Sequence, residues 1–146
     1  MNKKFAILII FVILVLTYLF FSREPEIIYV QEDEDSTFII VRNFPITGWG
    51  KIYWWENHKN LIKEKYKLPR VDTDGNYYVA ILDGSGGFKK VTEANLYSFS
   101  FEHTDLYCFD EIKSDDRCIE KSFLMLISNG MKNKTDYFIE GRYITK

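Results

Sequence analysis

Two cysteines, two histidines and two glycine-bearing turns are the places where this chain of 146 residues could do chemistry. Cys108 and Cys118 enclose the stretch FDEIKSDDR. Two thiols alone cannot complete a four-ligand zinc site, and the spacing is not the C-x-x-C of redox catalysts. Outside a reducing cytoplasm an isolated pair closes on itself, and a loop of about 10 residues stabilises a fold by about 2.7 kcal/mol in the chain-entropy account. His58 and His103 are far apart and have no nucleophile or third ligand in a recognisable pattern. GSGGFKK at 84–90 lacks the G-x-x-x-x-G-K-[ST] spacing of a phosphate loop and reads as a hairpin turn. DTDGN at 72–76 opens like a calcium loop, but its glycine stands fourth where the loop needs it sixth, so it also reads as a turn. Asp115 and Asp116 fall between the cysteines, where solvent is the default. With no G-x-S-x-G elbow and no H-E-x-x-H pair, the expectation is a chain that is not an enzyme: no catalytic residue, no metal and no small-molecule cofactor.

The element that must place everything else is the apolar run FAILIIFVILVLTYLFF, residues 5–21, fourteen of whose side chains are Leu, Ile, Val or Phe. As a helix it rises roughly 25 Å, enough to cross a bilayer at the short end of the range. A cleaved signal peptide is the alternative. It would need small residues at its cut site, and Phe20, Phe21, Ser22, Arg23 and Glu24 stand there. The run therefore reads as an uncleaved anchor. Lys3 and Lys4 precede it and acidic residues follow, so residues 1–4 stay in the cytoplasm and the rest faces outward. Residues 22–26, SREPE, form a linker, and 27–146 form one domain.

That domain is nearly neutral within a chain of net charge −2, which excludes the basic surplus that nucleic acid demands. Aromatic residues make up 17% of the chain, favouring a packed, strand-rich core. IIYV (27–30) and TFIIVRNF (37–44) read as a hairpin across QEDEDS. Thr47 caps a helix from Gly48 to Lys65 or Tyr66, which Pro69 ends. Strands follow at 77–83, returning at 88–91, then at 105–112 and 118–128 around the cysteine loop, and past Asn129-Gly130. Residues 92–104 fit either a strand or a loop. The sum is an α+β domain, a mostly antiparallel sheet with one helix on a face. At about 100° per residue, Trp54, Trp55, His58, Leu61, Ile62 and Tyr66 share an arc of roughly 140°, the core stripe. Trp49, Ile52 and Tyr53 fall outside it as a second apolar patch, which either packs under a loop or awaits a partner. Lys59 and Lys63 belong to a basic face that complements the helix dipole or meets an acidic surface. Trp49, Ile52, Tyr53, Lys59 and Lys63 are therefore the candidate partner contacts.

In its NFPITGWGKIYWWENHKNLIKEKYKLP stretch, its YYVAILD–GSGG segment and its LYCFDEI and CIEK elements, the chain resembles an enterobacterial family of small membrane proteins catalogued as domain of unknown function 943. The resemblance supports the membrane anchor and supplies no catalytic residues. The first reading is a single-pass protein whose periplasmic domain binds another protein, in its most concrete form an immunity protein against a toxin acting there. An accessory subunit that docks through its membrane helix is the alternative, and a periplasmic enzyme ranks last.

Overall fold

A computed structural model describes residues 2–34, 36–92 and 106–146. His103, and all of the 92–104 stretch except residue 92, lie outside the described residues. Helix α1 runs Lys3–Phe21, buries none of its side chains, and is the one helix among the described residues long and apolar enough to cross a membrane.

After a four-residue linker, β1 (Glu26–Glu32) and β2 (Thr37–Arg42) form the expected hairpin, closed by Asp33 N–H donating to Ser36 O at 2.8 Å. Asn43, at φ 57°, turns the chain out of β2. Helix α2 then spans Gly48–Tyr66, with the Thr47 side chain accepting from Gly50 N–H at 3.1 Å and Lys67 in the left-handed conformation at its end. It carries the chain back so that β3 (Tyr78–Asp83) lies parallel to β2, as a crossover helix permits and a tight turn cannot. The sheet continues antiparallel through β7 (Phe123–Asn129), β8 (Thr135–Ile139) and β9 (Arg142–Thr145), in the order β1-β2-β3-β7-β8-β9. Among the described residues the fold is α+β with a mostly antiparallel sheet, as the sequence predicts.

Two strand expectations need correction. FKKV does not return onto β3; β4 (Lys89–Lys90) instead pairs with β6 (Asp116–Glu120), which pairs with β5 (Leu106–Cys108), making a second, three-stranded sheet. The run 118–128 is two strands, broken at Lys121-Ser122 because its halves join different sheets.

The small sheet covers the face of the large one that α2 leaves open, so the domain has three layers. Ile39, Val41, Val79, Ile81, Met125 and Ile127 face α2, while Ile40, Ala80 and Leu82 face Phe109 and Ile119. Aromatic contacts seal the second interface: Tyr29 against Phe109 and Phe38 against Tyr107, both with centroids 5.0 Å apart. Gly84 allows the layers to close, since a Cβ there would come within 2.5 Å of both Ile28 and Ile40.

The helix is rolled relative to the expected stripe. Its buried residues are Lys51, Ile52, Trp54, Trp55 and Ile62, with Lys59 and Tyr66 half-buried beside them, whereas Leu61 and His58 are exposed. Ile52 is fully buried, which corrects its assignment to the outer patch. At about 100° per residue it stands only some 40° beyond Tyr66, close enough for a small roll to bring it inside. His58, expected in the core, instead lies on the outside of Trp54, its ring stacked there at 4.8 Å.

Candidate functional site

With Ile52 removed, two members of the outer patch stay bare. Trp49 is 69% and Tyr53 73% exposed, one helical turn apart. Their neighbours hold α2 against the sheet. Lys51 is buried, with its ammonium 3.9 Å from the carboxylate of Glu140 in the β8–β9 turn. Glu56 accepts a very short hydrogen bond from the hydroxyl of Tyr137 on β8 and another from Lys59 Nζ at 2.6 Å. The Lys59 hydrogen bond, followed by that from Tyr137, holds the Glu56 carboxyl below its usual range. Burial, followed by the hydrogen bond to Glu56, pushes the Tyr137 phenol well above its ordinary value. Lys146 extends from the chain end to place its Nζ 5.2 Å from the Trp49 ring centroid. The side of α2 that bears Trp49 is therefore fixed from beneath and charged at its rim.

The remaining candidates separate. Lys63 is exposed, but its position ten residues beyond Tyr53 puts it roughly 15 Å farther along the axis. Lys59 is half-buried and engaged by Glu56, so it shapes the helix more than it offers a free charge. His58 Nδ1 lies 2.7 Å from the Trp54 carbonyl, to which it donates, leaving Nε2 facing outward. Neither glycine-bearing turn makes a ligand site: Asp72 Oδ1 accepts from Asp74 N–H and Asn76 N–H within its own turn, and Gly84 N–H donates to Val41 O.

Cys108 and Cys118 stand opposite each other in the β5–β6 ladder and are joined in a disulfide, with the Cys118 side inside the second core. The acids between them, Asp110, Glu111, Asp115 and Asp116, are exposed to solvent. Beside α2 lies a cavity of about 930 Å³, walled on one side by Phe20 and Phe21 of α1 and on the other by Ile46, Tyr53 and His58.

Glu56–Tyr137 and Lys51–Glu140 were not legible in the sequence. Each joins α2 to a strand more than 80 residues away, and a helical lysine or glutamate ordinarily faces water.

Compared with known families, residues 1–146 match the model described as Enterobacterial putative membrane protein (DUF943). The chain belongs to this family. The match covers its whole length, so the apolar α1 and the folded domain are parts of one family architecture. No curated protein and no solved structure shows significant similarity to it. Family membership agrees with the resemblance carried by the N-F-P, W-W and C-F-D elements, and it makes α1 the candidate membrane span.

Proposed function

We propose that this is a single-pass inner-membrane protein that holds its domain on the periplasmic side and there binds another protein through the face carrying Trp49 and Tyr53. The observation that carries the reading is the bare pair itself. Two large aromatics stand more than two-thirds exposed on a helix whose Ile52, Trp55 and Ile62 are buried in the core, and such rings are favoured anchors in protein interfaces. The buried Lys51 and the Glu56–Tyr137 bond fix the helix that presents them, lowering the ordering cost of binding.

Two features support the outward orientation: Lys3 and Lys4 before α1 against Glu24 and Glu26 after it, and a disulfide of the kind that persists in oxidising compartments. Capture of a toxin that arrives in the periplasm is the most specific form of the reading. It needs no catalytic group, and the chain is proposed as a binding protein, not an enzyme.

Photoreactive residues placed at 49 and 53 of the full-length protein in living cells test this. One defined protein adduct at both positions, and its absence from a probe at exposed Met131, is the expected result. Adducts equally abundant at all three positions, or a Trp49→Ala/Tyr53→Ala double variant that captures as well as the parent, would refute the interface.

A further inference from the structure

We propose that the tethered end of the domain rests on the bilayer that α1 spans, with Ile46 and Phe123 entering its headgroup layer. This rests on the anchored reading above and goes beyond it by assigning a second, lipid-facing surface to the domain.

The strand register defines that end. Glu26, first in β1, pairs with Arg42, last in β2, and the adjacent Val41 pairs with Asp83, last in β3. Leu82 pairs with Phe123, first in β7, and Ile139, last in β8, with Arg142, first in β9. The connections 43–47, 84–87, 121–122 and 140–141 therefore all lie at the end where the linker enters.

The linker cannot hold this end away from lipid. The apolar residues 5–21 of α1 rise about 25 Å against a hydrocarbon layer of about 30 Å, so Phe21 ends near its boundary. Between Phe21 and Glu26 stand only residues 22–25, and the five Cα–Cα steps across them span at most about 18 Å. A headgroup layer of roughly 5–8 Å takes up part of that reach.

What this end presents suits an interface with lipid. Ile46, in the 43–47 connection, is 62% exposed, and Phe123, at the first position of β7, is 53% exposed. Ile46 walls the same cavity as Phe20 and Phe21, so the apolar surface of the anchor continues onto the domain. Arg23 lies with its guanidinium 5.7 Å from the Phe20 ring centroid, a placement in which an arginine lays its stem on apolar surface and keeps its charge in the headgroups. The basic residues at this end are Arg23, Arg42, Lys51, Lys121 and Arg142. They are balanced by Glu24, Glu26, Asp83, Glu120 and Glu140. Insertion of apolar side chains, not attraction to anionic lipid, therefore holds the domain down, and the contact is insensitive to salt. The ring of Trp49 is turned away, towards Lys146, which pairs with Thr135 at the far end of β8, while Tyr53, which walls the same cavity as Phe20 and Phe21, stands where the lipid-facing end borders the proposed partner face.

The test uses the full-length protein in vesicles of phosphatidylethanolamine and phosphatidylglycerol containing a headgroup-proximal nitroxide lipid. An environment-sensitive dye is placed on Ile46→Cys, on Phe123→Cys, or on Met131→Cys as the far-end control, since Met131 follows β7 about 20 Å from Phe123. The expected result is several-fold stronger quenching at 46 and 123 than at 131, unchanged by high salt. Co-flotation with the vesicles reads the anchor separately. Flotation with equal quenching at all three positions overturns the docking alone, and failure to float overturns the anchor and the docking together. A dye at 46 or 123 that becomes shielded only in native membranes, not in pure lipid, assigns this end to a protein and also overturns the proposal. Should Phe123→Cys fail to fold, amide exchange on the unaltered protein in the same vesicles replaces it. Slowed exchange at 43–47 and 121–123 relative to detergent is required, and unchanged exchange there counts against docking.

Discussion

The hydroxyl of Tyr137 is buried beneath α2, and Glu56 is what makes that burial tolerable. Deleting that hydroxyl removes a hydrogen bond to the charged Glu56, so Tyr137→Phe should cost about 1.5–3 kcal/mol in denaturant unfolding. The carboxyl of Glu56 titrates lower in the folded chain than in the unfolded one, chiefly through Lys59. Its contribution is therefore complete above the ordinary carboxylate range and disappears as pH falls through the lowered folded value. Acid titration of stability should show the parent losing more than Glu56→Gln from about pH 5 downward. A parallel decline in both proteins would mean that Glu56 is not linked to folding. Neighbouring residues of α2 give a second contrast. Ile52→Ala opens the core and should cost about 2–5 kcal/mol, while Trp49→Ala, on bare surface, should stay within about 0.5 kcal/mol. At this scale the sequence was only partly readable. Trp49 and Tyr53 fall outside the apolar stripe by angle alone, but Ile52 sits close enough to its edge that the roll of the helix, set by the whole sheet, decides its side.

Among the elements, α2, the β1–β2 hairpin and β3 were legible because each begins and ends on residues with a local reason to do so: Thr47 as cap, Asn43 leaving the strand, and the DTDGN turn closing on Asp72. The second sheet was not. Its signal was present in TFIIV and YVAIL, apolar on both alternating faces, as a strand covered on two sides must be. The pairing of β4 with β6 leaves no such trace, because two lysines and a short strand carry almost no pattern. The disulfide staples this weakly patterned layer. Replacing Cys108 and Cys118 together with serine should lower stability by about 2.7 kcal/mol, with exchange quickening first at 106–108 and 116–120. Loss spread evenly across both sheets would argue that the layers unfold as one unit.

At the level of the whole molecule, anchor and domain make separable demands. Helix α1 is apolar all round and buries nothing against the domain, so its sequence matters for length and hydropathy, not for fit. Exchanging residues 5–21 for an unrelated apolar helix should therefore leave partner capture intact. Loss of function in a correctly inserted exchange protein would favour an accessory subunit that docks through its span. The apolar helix was the most legible part of the chain, since an uncharged run of seventeen residues satisfies its own backbone only as a helix. The way the tether enters the domain has a mechanical consequence. Tension arriving through Arg23 and Glu24 runs along the axis of β1, whose ladder to β2 extends from Glu26 to Glu32, so its hydrogen bonds are loaded together in shear and not peeled one at a time. Under the proposed reading, a captured partner that tugs on the domain would meet the hairpin in its strongest direction.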